Sequence, residues 1–325
     1  MKPLGIGVVG AGKHGLRYIR HLTEDVDDAR LVAVCRRSRD EGDAVARAHG
    51  CAFYDDWRAL VDDRAVDAVV TVVPPVLNPA IADAACAAGK HLLLEKPLAP
   101  TLDGARRIAA AVKASGVRAM VAQTLRFDAT IAGVRAHLPD IAPLHAMSLS
   151  QRFEPSSLPW LDRLAESGGG VLLHTGIHSI DLLRFFSGRE VVAVCCTTAR
   201  VLTRETEDNF MMMMRFTTDG LLGEVSGSRA VAGRVGLVAL AGAGGEIVAD
   251  HVHHTAWLVR GASRTPIALP KAVPTVREAL RAFVSGARTG AAMPVTIDDG
   301  LRAVAVVDAA YRSAALGGAP VEVAD

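Results

Sequence analysis

The chain has 325 residues, 50% of them hydrophobic and 22% charged, which is typical of a globular protein large enough for two domains. Its 36 basic and 35 acidic side chains leave a formal charge of +1. The chain therefore lacks the excess of basic residues that is typical of proteins that bind nucleic acids or membrane surfaces. Five scattered cysteines, no signal-peptide pattern and no apolar run long enough for a membrane span predict a reduced, cytoplasmic protein without a membrane partner.

The first 120 or so residues alternate β-branched runs with segments of helical period. The strand-like runs are LGIGVVG, RLVAVC, AVDAVVTVV, KHLLLEK and VRAMVAQ. This alternation predicts an α/β fold with a doubly wound parallel sheet of the Rossmann type and helices on both faces. We place this N-terminal, nucleotide-binding domain at residues 1–122.

A glycine-rich loop, Gly10-Ala11-Gly12-Lys13-His14-Gly15, follows the first strand and opens a helix. In this context Gly10 permits a tight turn, Gly12 lets the backbone approach a pyrophosphate, and Gly15 allows close helix packing. The loop therefore predicts dinucleotide binding, with Lys13 and His14 beside the phosphates. The alternative is a tight strand–helix turn without a ligand.

The second strand ends in CRRSRD, where an NAD-binding site usually offers a carboxylate to the ribose hydroxyls. Arg36, Arg37 and Ser38 occupy this region instead. A guanidinium binds phosphate oxygens in a fork, whereas a carboxylate would repel a 2′-phosphate. The sequence therefore predicts a preference for NADP(H), with NAD(H) as a possible cofactor. The alternative is a solvated basic loop.

Another strand ends in Glu95-Lys96-Pro97, at the carboxyl edge of the sheet where α/β proteins bind ligands. Pro97 restricts Lys96 to an extended backbone. The ammonium of Lys96 could hydrogen-bond a substrate oxygen and stabilise charge that develops on it. Without other evidence, a single lysine at a strand end is more often a surface charge.

After Gln123 strand-like runs follow one another directly, and we place a second domain at residues 123–325. The pattern predicts a larger, mostly antiparallel sheet, a hairpin at Asp219-Gly220, and helices near 172–187, 275–289 and 298–316. The C-terminal helix is expected to pack back toward the first domain. The run Met211–Met214 predicts a strand with one face in the core and the other in a subunit interface.

The segment GGGVLLHTGIHSID, residues 168–181, carries His174 and His178 four residues apart, followed by Asp181. Residues four apart share a helix face, so both imidazoles could reach one cleft. An imidazole can exchange a proton near neutral pH, which favours an acid/base role for His178. The spacing also suits zinc, but Thr175 replaces the glutamate of a metalloprotease motif, and we predict no metal. Simple packing of both histidines is the third alternative.

Together these motifs resemble the glucose–fructose oxidoreductase / inositol dehydrogenase (Gfo/Idh/MocA) family. The matching stretches are GIGVVGAGKHG, VVPPVLNPAIADAACAAGKHLLLEKPLA, LRF, GGGVLLHTGIHSIDLLRFF and DDGLRAVAVVDAAYRS. The resemblance implies a pyridine-nucleotide-dependent oxidoreductase that acts on a small sugar- or polyol-like molecule. It also implies a homo-oligomer, a dimer or tetramer, formed through the C-terminal sheet.

The resemblance further implies roles for individual residues. Lys96 would lie beside nicotinamide and substrate, and His178 would be the acid/base group. His174 occupies a position that is usually acidic in the family, so it becomes a candidate substrate contact. Arg126 would contact substrate or organise the site. Further candidates for cofactor contacts are Pro74, Asn78 (where relatives often carry histidine), Glu95, Gln123 and Trp160.

The leading hypothesis is an NADP(H)-dependent oxidoreductase that transfers a hydride between nicotinamide and a carbinol or carbonyl carbon. One alternative is a nucleotide-binding sensor or regulator that has lost the chemistry, motivated by the altered HTGIH motif. The other is a hydrolase or lyase that uses NAD(P) transiently.

Overall fold

The computed structural model describes residues 2–217 and 220–324, and the chain divides into two compact units. The first unit contains the chain up to Thr124 together with Pro274–Leu301. The second contains Leu125–Val273 together with the chain from Arg302 onward. Each unit is built on its own sheet, and the predicted combination of a parallel sheet with a larger, mostly antiparallel sheet is confirmed.

The first unit contains a six-stranded parallel sheet with the strand order β3-β2-β1-β4-β5-β6. This is the order of a Rossmann fold, in which ligands bind beyond the carboxyl ends of the strands. Residues in β1 and β4 are buried on both faces, which explains their continuous apolar sequence. The strands are β1 (Leu4–Val9), β2 (Ala29–Cys35), β3 (Ala52–Tyr54), β4 (Ala68–Thr71), β5 (His91–Glu95) and β6 (Ala119–Ala122).

Helices cover the faces of this sheet. They are α1 (Gly15–Glu24), α2 (Arg39–His49), α3 (Trp57–Asp62), α4 (Asn78–Ala87), α5 (Leu102–Ser115) and, from later in the chain, α9 (Thr275–Thr289). The helix α9 packs on α1 and β6. Its apolar side chains recur with helical period, and Val276, Leu280 and Phe283 are buried.

The second unit contains a nine-stranded sheet with the order β14-β13-β12-β11-β7-β10-β9-β8-β15. Among the described strands of this second sheet, only β7 and β10 pair in parallel. The strands are β7 (Leu144–Arg152), β8 (Val191–Ala199), β9 (Asn209–Phe216), β10 (Leu222–Ser228), β11 (Val235–Gly242), β12 (Gly245–Asp250), β13 (Thr255–Arg260), β14 (Ser263–Pro266) and β15 (Val321–Glu322).

The methionine run lies in β9 and alternates between the two faces of this sheet. Met212 and Met214 are each 2% exposed, whereas Met211 and Met213 are 66% and 64% exposed. This is the period of two that a strand imposes, with one face in the core. The strands β9 and β10 pair antiparallel, as a hairpin requires. Asp219 of the predicted turn lies outside the described residues.

The helices of the second unit include the segment that carries the two histidines. They are α6 (Ala129–Ala136), α7 (Leu164–Ser167), a π-helical turn (Leu172–Gly176) that continues into α8 (Ile177–Ser187), and α10 (Ile297–Ala315), which begins in the first unit. The predicted helix near 172–187 is therefore present, with a π-helical first turn. No helix in the described chain is both long and apolar enough to cross a membrane.

Candidate active site

The glycine-rich loop between β1 and α1 uses its glycines for different reasons. Gly10 has a φ of +101°, and a Cβ there would lie 2.1 Å from the carbonyl oxygen of Val72. A Cβ on Gly15 would lie 2.1 Å from the carbonyl oxygen of Gly10. A Cβ on Gly12, in contrast, would meet no described atom within 4 Å. The protein itself requires glycine at 10 and 15, whereas the open space beside Gly12 fits a pyrophosphate at the helix N-terminus.

The residues that follow β2 are placed differently from one another. Arg36 donates hydrogen bonds to the carbonyl oxygen of Ala11 (2.9 Å) and to Oε2 of Glu41 (2.6 Å), so its guanidinium braces the glycine-rich loop. Arg37 and Ser38 are exposed. Ser38 precedes α2, but within the described chain its hydroxyl does not cap that helix. Of the three predicted 2′-phosphate contacts, Arg36 is thus engaged by protein groups, while Arg37 and Ser38 lie at the surface.

Two other predicted cofactor residues border the same edge of the first sheet. Lys13 is exposed on the glycine-rich loop. Pro74 is partly buried and precedes a short 3₁₀ turn, Pro75–Leu77, that follows β4. Both positions are at the carboxyl ends of strands, where a dinucleotide binds in this fold.

Glu95, the last residue of β5, connects the glycine-rich loop to the turn of Lys96. Its Oε1 accepts a hydrogen bond from the Tyr18 hydroxyl (2.5 Å) and lies 2.8 Å from Nε2 of His14. Its Oε2 accepts a bond from the backbone N–H of Lys96 (3.0 Å). Burial opposes ionisation of this carboxyl, but bonds and charge from His14, with the charge of Lys96, hold the pKa of Glu95 below its usual value. Glu95 and His14, both predicted to contact the cofactor, therefore contact each other.

Asn78, another predicted cofactor contact, holds the same turn from the side of α4. Its side-chain nitrogen donates to the carbonyl oxygens of Pro97 (3.3 Å) and Leu98 (3.2 Å), and its oxygen accepts from the Thr71 hydroxyl (3.1 Å). Asn78 is only 1% exposed. Its observed role is therefore to position the backbone that follows Lys96.

Gln123 follows β6 and lies beside Lys96 at the carboxyl edge, because Glu95 pairs with Ala122 in the parallel register. Gln123 is 1% exposed, and neither polar atom of its side chain has a hydrogen-bond partner among the residues that the structure describes. A buried amide without partners costs free energy, and such groups in native proteins call for an explanation. The predicted contact of Gln123 with the cofactor stays a prediction.

In the second unit, the glycines that precede the histidines pack against Glu207 and Tyr311. A Cβ on Gly169 would lie 2.2 Å from the Tyr311 hydroxyl oxygen, and a Cβ on Gly170 would lie 1.9 Å from the carbonyl oxygen of Glu207. The Glu207 carboxylate accepts hydrogen bonds from the N–H groups of Gly170 (3.0 Å) and Leu172 (3.0 Å) and from the Tyr311 hydroxyl (2.9 Å). Glu207 therefore satisfies backbone donors at the start of the histidine helix, which have no acceptor within the helix itself.

His174 lies in the π-helical turn and packs against the loop before it. It is 8% exposed, its Nε2 lies 3.1 Å from the carbonyl oxygen of Ser167, and its ring meets the Trp160 ring edge to face at 5.5 Å. Because a carbonyl oxygen only accepts, Nε2 of His174 donates this bond and carries a proton. Trp160, which the sequence placed over the cofactor, contacts His174.

His178 lies one α-helical turn after His174 and is partly exposed. Asp181, on the same helix, is 1% exposed and accepts two hydrogen bonds from the Arg126 guanidinium, at 2.6 and 2.8 Å. The guanidinium also lies 4.9 Å from the ring centre of Phe185. Of the two roles predicted for Arg126, the geometry favours organisation of the site, because the ion pair connects the turn before α6 to the histidine helix.

Comparisons with known proteins agree with this arrangement. Residues 4–123 match an oxidoreductase family with an NAD-binding Rossmann fold, and residues 142–248 match the Gfo/Idh/MocA C-terminal domain. The chain is 31% identical to inositol 2-dehydrogenase 2 of Saccharopolyspora erythraea over 99% of this chain and 96% of that protein. The chain belongs to the Gfo/Idh/MocA family of oxidoreductases. The predictions of the family and of an NAD(P)-dependent dehydrogenase are thereby confirmed.

Other relatives and solved structures extend the comparison. Inositol 2-dehydrogenase of Rhizobium meliloti is 28% identical over 95% of this chain and 96% of that protein. The structure of GenD2 from gentamicin A biosynthesis in complex with NAD is 27% identical, with a TM-score of 0.88 over 100% of this chain and 97% of that chain. Levoglucosan dehydrogenase in complex with NADH and levoglucosan, at 24% identity and a TM-score of 0.88 over all of both chains, shows the shared fold.

Several residues that shape the site were not found from the sequence. They are Tyr18, Glu207 and Tyr311. Tyr18 falls on the buried face of α1 and resembles a core residue, and Glu207 lies in a polar loop. The only local signal was the glycine triplet at 168–170, because three adjacent glycines indicate a close approach of another segment. Among the described residues, no group of three or more His, Cys, Asp or Glu side chains is arranged to hold a metal ion.

Proposed function

We propose that this protein is a dehydrogenase that oxidises a carbinol carbon of a sugar- or polyol-like substrate, or reduces the corresponding carbonyl. The observation that carries the proposal is the Glu95 network. The carboxylate of Glu95 contacts His14 in the glycine-rich loop and also the backbone N–H of Lys96. One side chain therefore holds both the loop that would bind phosphate and the residue that would carry a positive charge to the substrate. Relatives named inositol 2-dehydrogenase support the substrate class.

The cofactor proposed for this site is a nicotinamide dinucleotide, which would accept a hydride in oxidation or supply one in reduction. The glycine-rich loop would hold its pyrophosphate at the open space beside Gly12. Gln123 would bind the carboxamide with its two buried polar atoms. Lys96 would donate a hydrogen bond to the substrate oxygen and stabilise negative charge on it.

We assign proton exchange with the substrate hydroxyl to His178. An imidazole titrates close to neutral pH, so it can accept a proton in oxidation and return it in reduction. Arg126 and Asp181 act as positioning residues, because their buried ion pair holds the helix that carries His178. His174 contributes less to proton transfer, because its Nε2 is engaged by a backbone carbonyl.

Substitution of His178 tests the function directly. We expect His178→Ala to lower kcat by a factor of roughly 10² or more, since positioned acid/base groups contribute about that much. Cofactor affinity should stay close to that of the wild type. His253→Ala is the matched control, because His253 is an exposed histidine on a turn of the second unit. Turnover by His178→Ala near the wild-type rate would remove His178 from the mechanism.

The preference for NADP(H) now rests on Arg37 and Ser38, because Arg36 is engaged by Ala11 and Glu41. Parallel titrations of NADPH and NADH to the purified protein at one salt concentration test it. We expect tighter binding of NADPH, and Arg37→Gln should weaken NADPH binding by about tenfold while leaving NADH binding nearly unchanged. Tighter binding of NADH by the wild type would overturn this preference and leave the dehydrogenase assignment intact.

We also propose that the exposed face of the second sheet forms a homo-oligomer interface. Met211, Met213, Leu222 and Leu237 are between 46% and 66% exposed. They come from β9, β10 and β11, which belong to one continuous sheet. Polar side chains such as Ser150, Glu224 and Ser226 lie between them on the same face, and a face of mixed apolar and polar residues is typical of a protein–protein contact. A second copy of the chain is the partner that the family resemblance implies.

A further inference from the structure

A cavity of about 210 Å³ lies within the second unit, next to the histidine helix. Its walls come from the loop at 155–162, the segment Gly170–His174 and the loop at 202–208, and Arg229 completes the lining. Since a water molecule occupies about 30 Å³ in the liquid, the cavity has room for several heavy atoms of a ligand.

Arg229 provides a positive charge that forms no ion pair with another described residue. Its Nε donates to the Thr175 hydroxyl (3.0 Å), and its guanidinium lies 5.5 Å from the ring centre of Phe153. Its two terminal nitrogens have no hydrogen-bond acceptor among the described residues. The nearby carboxylate of Glu154 is bonded to Arg234 instead (2.7 Å).

The carboxylates that border the cavity are already satisfied by backbone donors. Asp162 accepts the N–H groups of residues 204–206, and Asp208 accepts those of residues 201–203. Glu207 accepts those of Gly170 and Leu172. Burial lowers the pKa of Arg229, with Arg234 acting in the same direction, and only Glu154 among the carboxylates opposes this shift. Arg229 therefore presents to the cavity a guanidinium with accessible terminal nitrogens and no ion-pair partner in the described chain, which favours the binding of an anion.

Arg229 also contacts the helical segment that carries His174 and His178. Its partner Thr175 lies in the π-helical turn between His174 and His178, and His174 lines the same cavity. A π-helical turn inside an α-helix often marks a functional site. A molecule bound at Arg229 would therefore lie against the turn that precedes His178.

We propose that Arg229 binds a carboxylate group of the substrate, so that the substrate is an acidic sugar derivative, such as a uronate or aldonate, rather than a neutral polyol. This inference rests on the function proposed above and specifies its substrate class. A planar guanidinium with free terminal nitrogens matches the two oxygens of a carboxylate. A neutral cyclitol would leave the same guanidinium uncompensated.

Binding to the full chain tests the inference without turnover. Isothermal titration at fixed ionic strength, with the reduced nicotinamide nucleotide present so that the carbinols cannot be oxidised, would compare D-glucuronate and D-gluconate with D-glucose and myo-inositol. We expect at least one acid to bind about tenfold tighter than its neutral counterpart, the value of one charge-assisted hydrogen bond. Equal affinity for acids and neutral sugars overturns the inference, and so does tighter binding of glucose 6-phosphate than of both acids.

Two variants make the test specific to the cavity. Arg229→Gln should reduce the preference for acid to about twofold or less, because it removes the charge and keeps a similar length. Arg234→Gln removes a neighbouring positive charge that does not line the cavity, and it should retain most of the preference. An equal loss in both variants would show general electrostatic attraction and overturn the assignment to Arg229.

Different experimental results would reject this inference and the proposed function. If neutral polyols are oxidised well and Arg229→Gln turns them over normally, the dehydrogenase assignment stands and the acidic substrate is excluded. If acids bind through Arg229 but His178→Ala keeps normal turnover, the binding site stands and the role of His178 is wrong.

Discussion

Removal of the Glu207 carboxylate should destabilise the second unit at the point where the histidine helix begins. The carboxylate accepts hydrogen bonds from two backbone N–H groups and from the Tyr311 hydroxyl. In Glu207→Ala both N–H groups lose their acceptor, and each unsatisfied buried donor costs about 1–3 kcal/mol, so we expect a loss of about 3 kcal/mol. Glu207→Gln keeps one oxygen acceptor and should cost about 1 kcal/mol.

Glu207 also makes the free energy of unfolding depend on pH, in a direction that follows from its pKa. Burial raises the pKa of Glu207 above its usual value, although its hydrogen bonds oppose the shift. An acid with a raised folded-state pKa stabilises the fold fully below its unfolded pKa of about 4.3, and the contribution is lost as pH rises through the folded value. Relative to Glu207→Gln, the wild type should therefore gain stability as pH falls from 7 toward 4.5.

Urea unfolding followed by tryptophan fluorescence measures both effects, because Trp160 and Trp257 belong to the second unit. Tyr311→Phe is the control, since it removes one hydroxyl and leaves the backbone donors paired. It should cost about 1 kcal/mol. An alanine variant within about 0.5 kcal/mol of the wild type would refute the reasoning, as would a stability difference from the glutamine variant that shrinks on acidification.

Three further outcomes follow from other contacts. Arg126→Gln should cost about 3–5 kcal/mol in urea unfolding, because it removes the positive charge that faces the buried Asp181 carboxylate. Arg135→Gln, beside the same Phe185 ring but exposed, should cost less than about 0.5 kcal/mol. Asn78→Ala should lower the free energy of unfolding by about 2 kcal/mol, because the turn of Lys96 loses its hydrogen bonds at Pro97 and Leu98. It should also reduce kcat more than cofactor affinity. Unchanged turnover would contradict the positioning role of Asn78. Met213→Glu should lower the molecular mass measured by light scattering and leave the circular dichroism spectrum unchanged. Val201→Glu, on an exposed loop, is the control and should leave the mass unaltered. An oligomer that persists in Met213→Glu would place the interface elsewhere.

The parallel sheet could be predicted from the sequence because its strands are buried on both faces and therefore appear as unbroken apolar runs. The three-residue strand β3 and the helix α6 were not predicted. The strand is half-exposed and too short for a pattern, and the helix is only eight residues long. The grouping of Pro274–Leu301 with the first unit depends on contacts between segments distant in sequence, which no local pattern encodes.

The site shows the same division between local and distant information. The glycine-rich loop, the Glu95-Lys96-Pro97 turn and the histidine pair are local motifs, and each could be identified from adjacent residues. The bonds that support them join Glu95 to His14 across 81 positions and Glu207 to Tyr311 across 104. Sequence spacing therefore identified the chemical groups, whereas the structure was needed to show which of them face a ligand and which bind other protein groups.

His174 illustrates why that distinction matters for mechanism. The spacing of the two histidines predicted that both imidazoles reach one cleft, but Nε2 of His174 donates to the carbonyl oxygen of Ser167 and its ring packs on Trp160. A nitrogen that donates to a carbonyl cannot also accept a proton from a substrate hydroxyl without breaking that bond. His174 therefore serves better as part of the cavity wall than as a proton carrier.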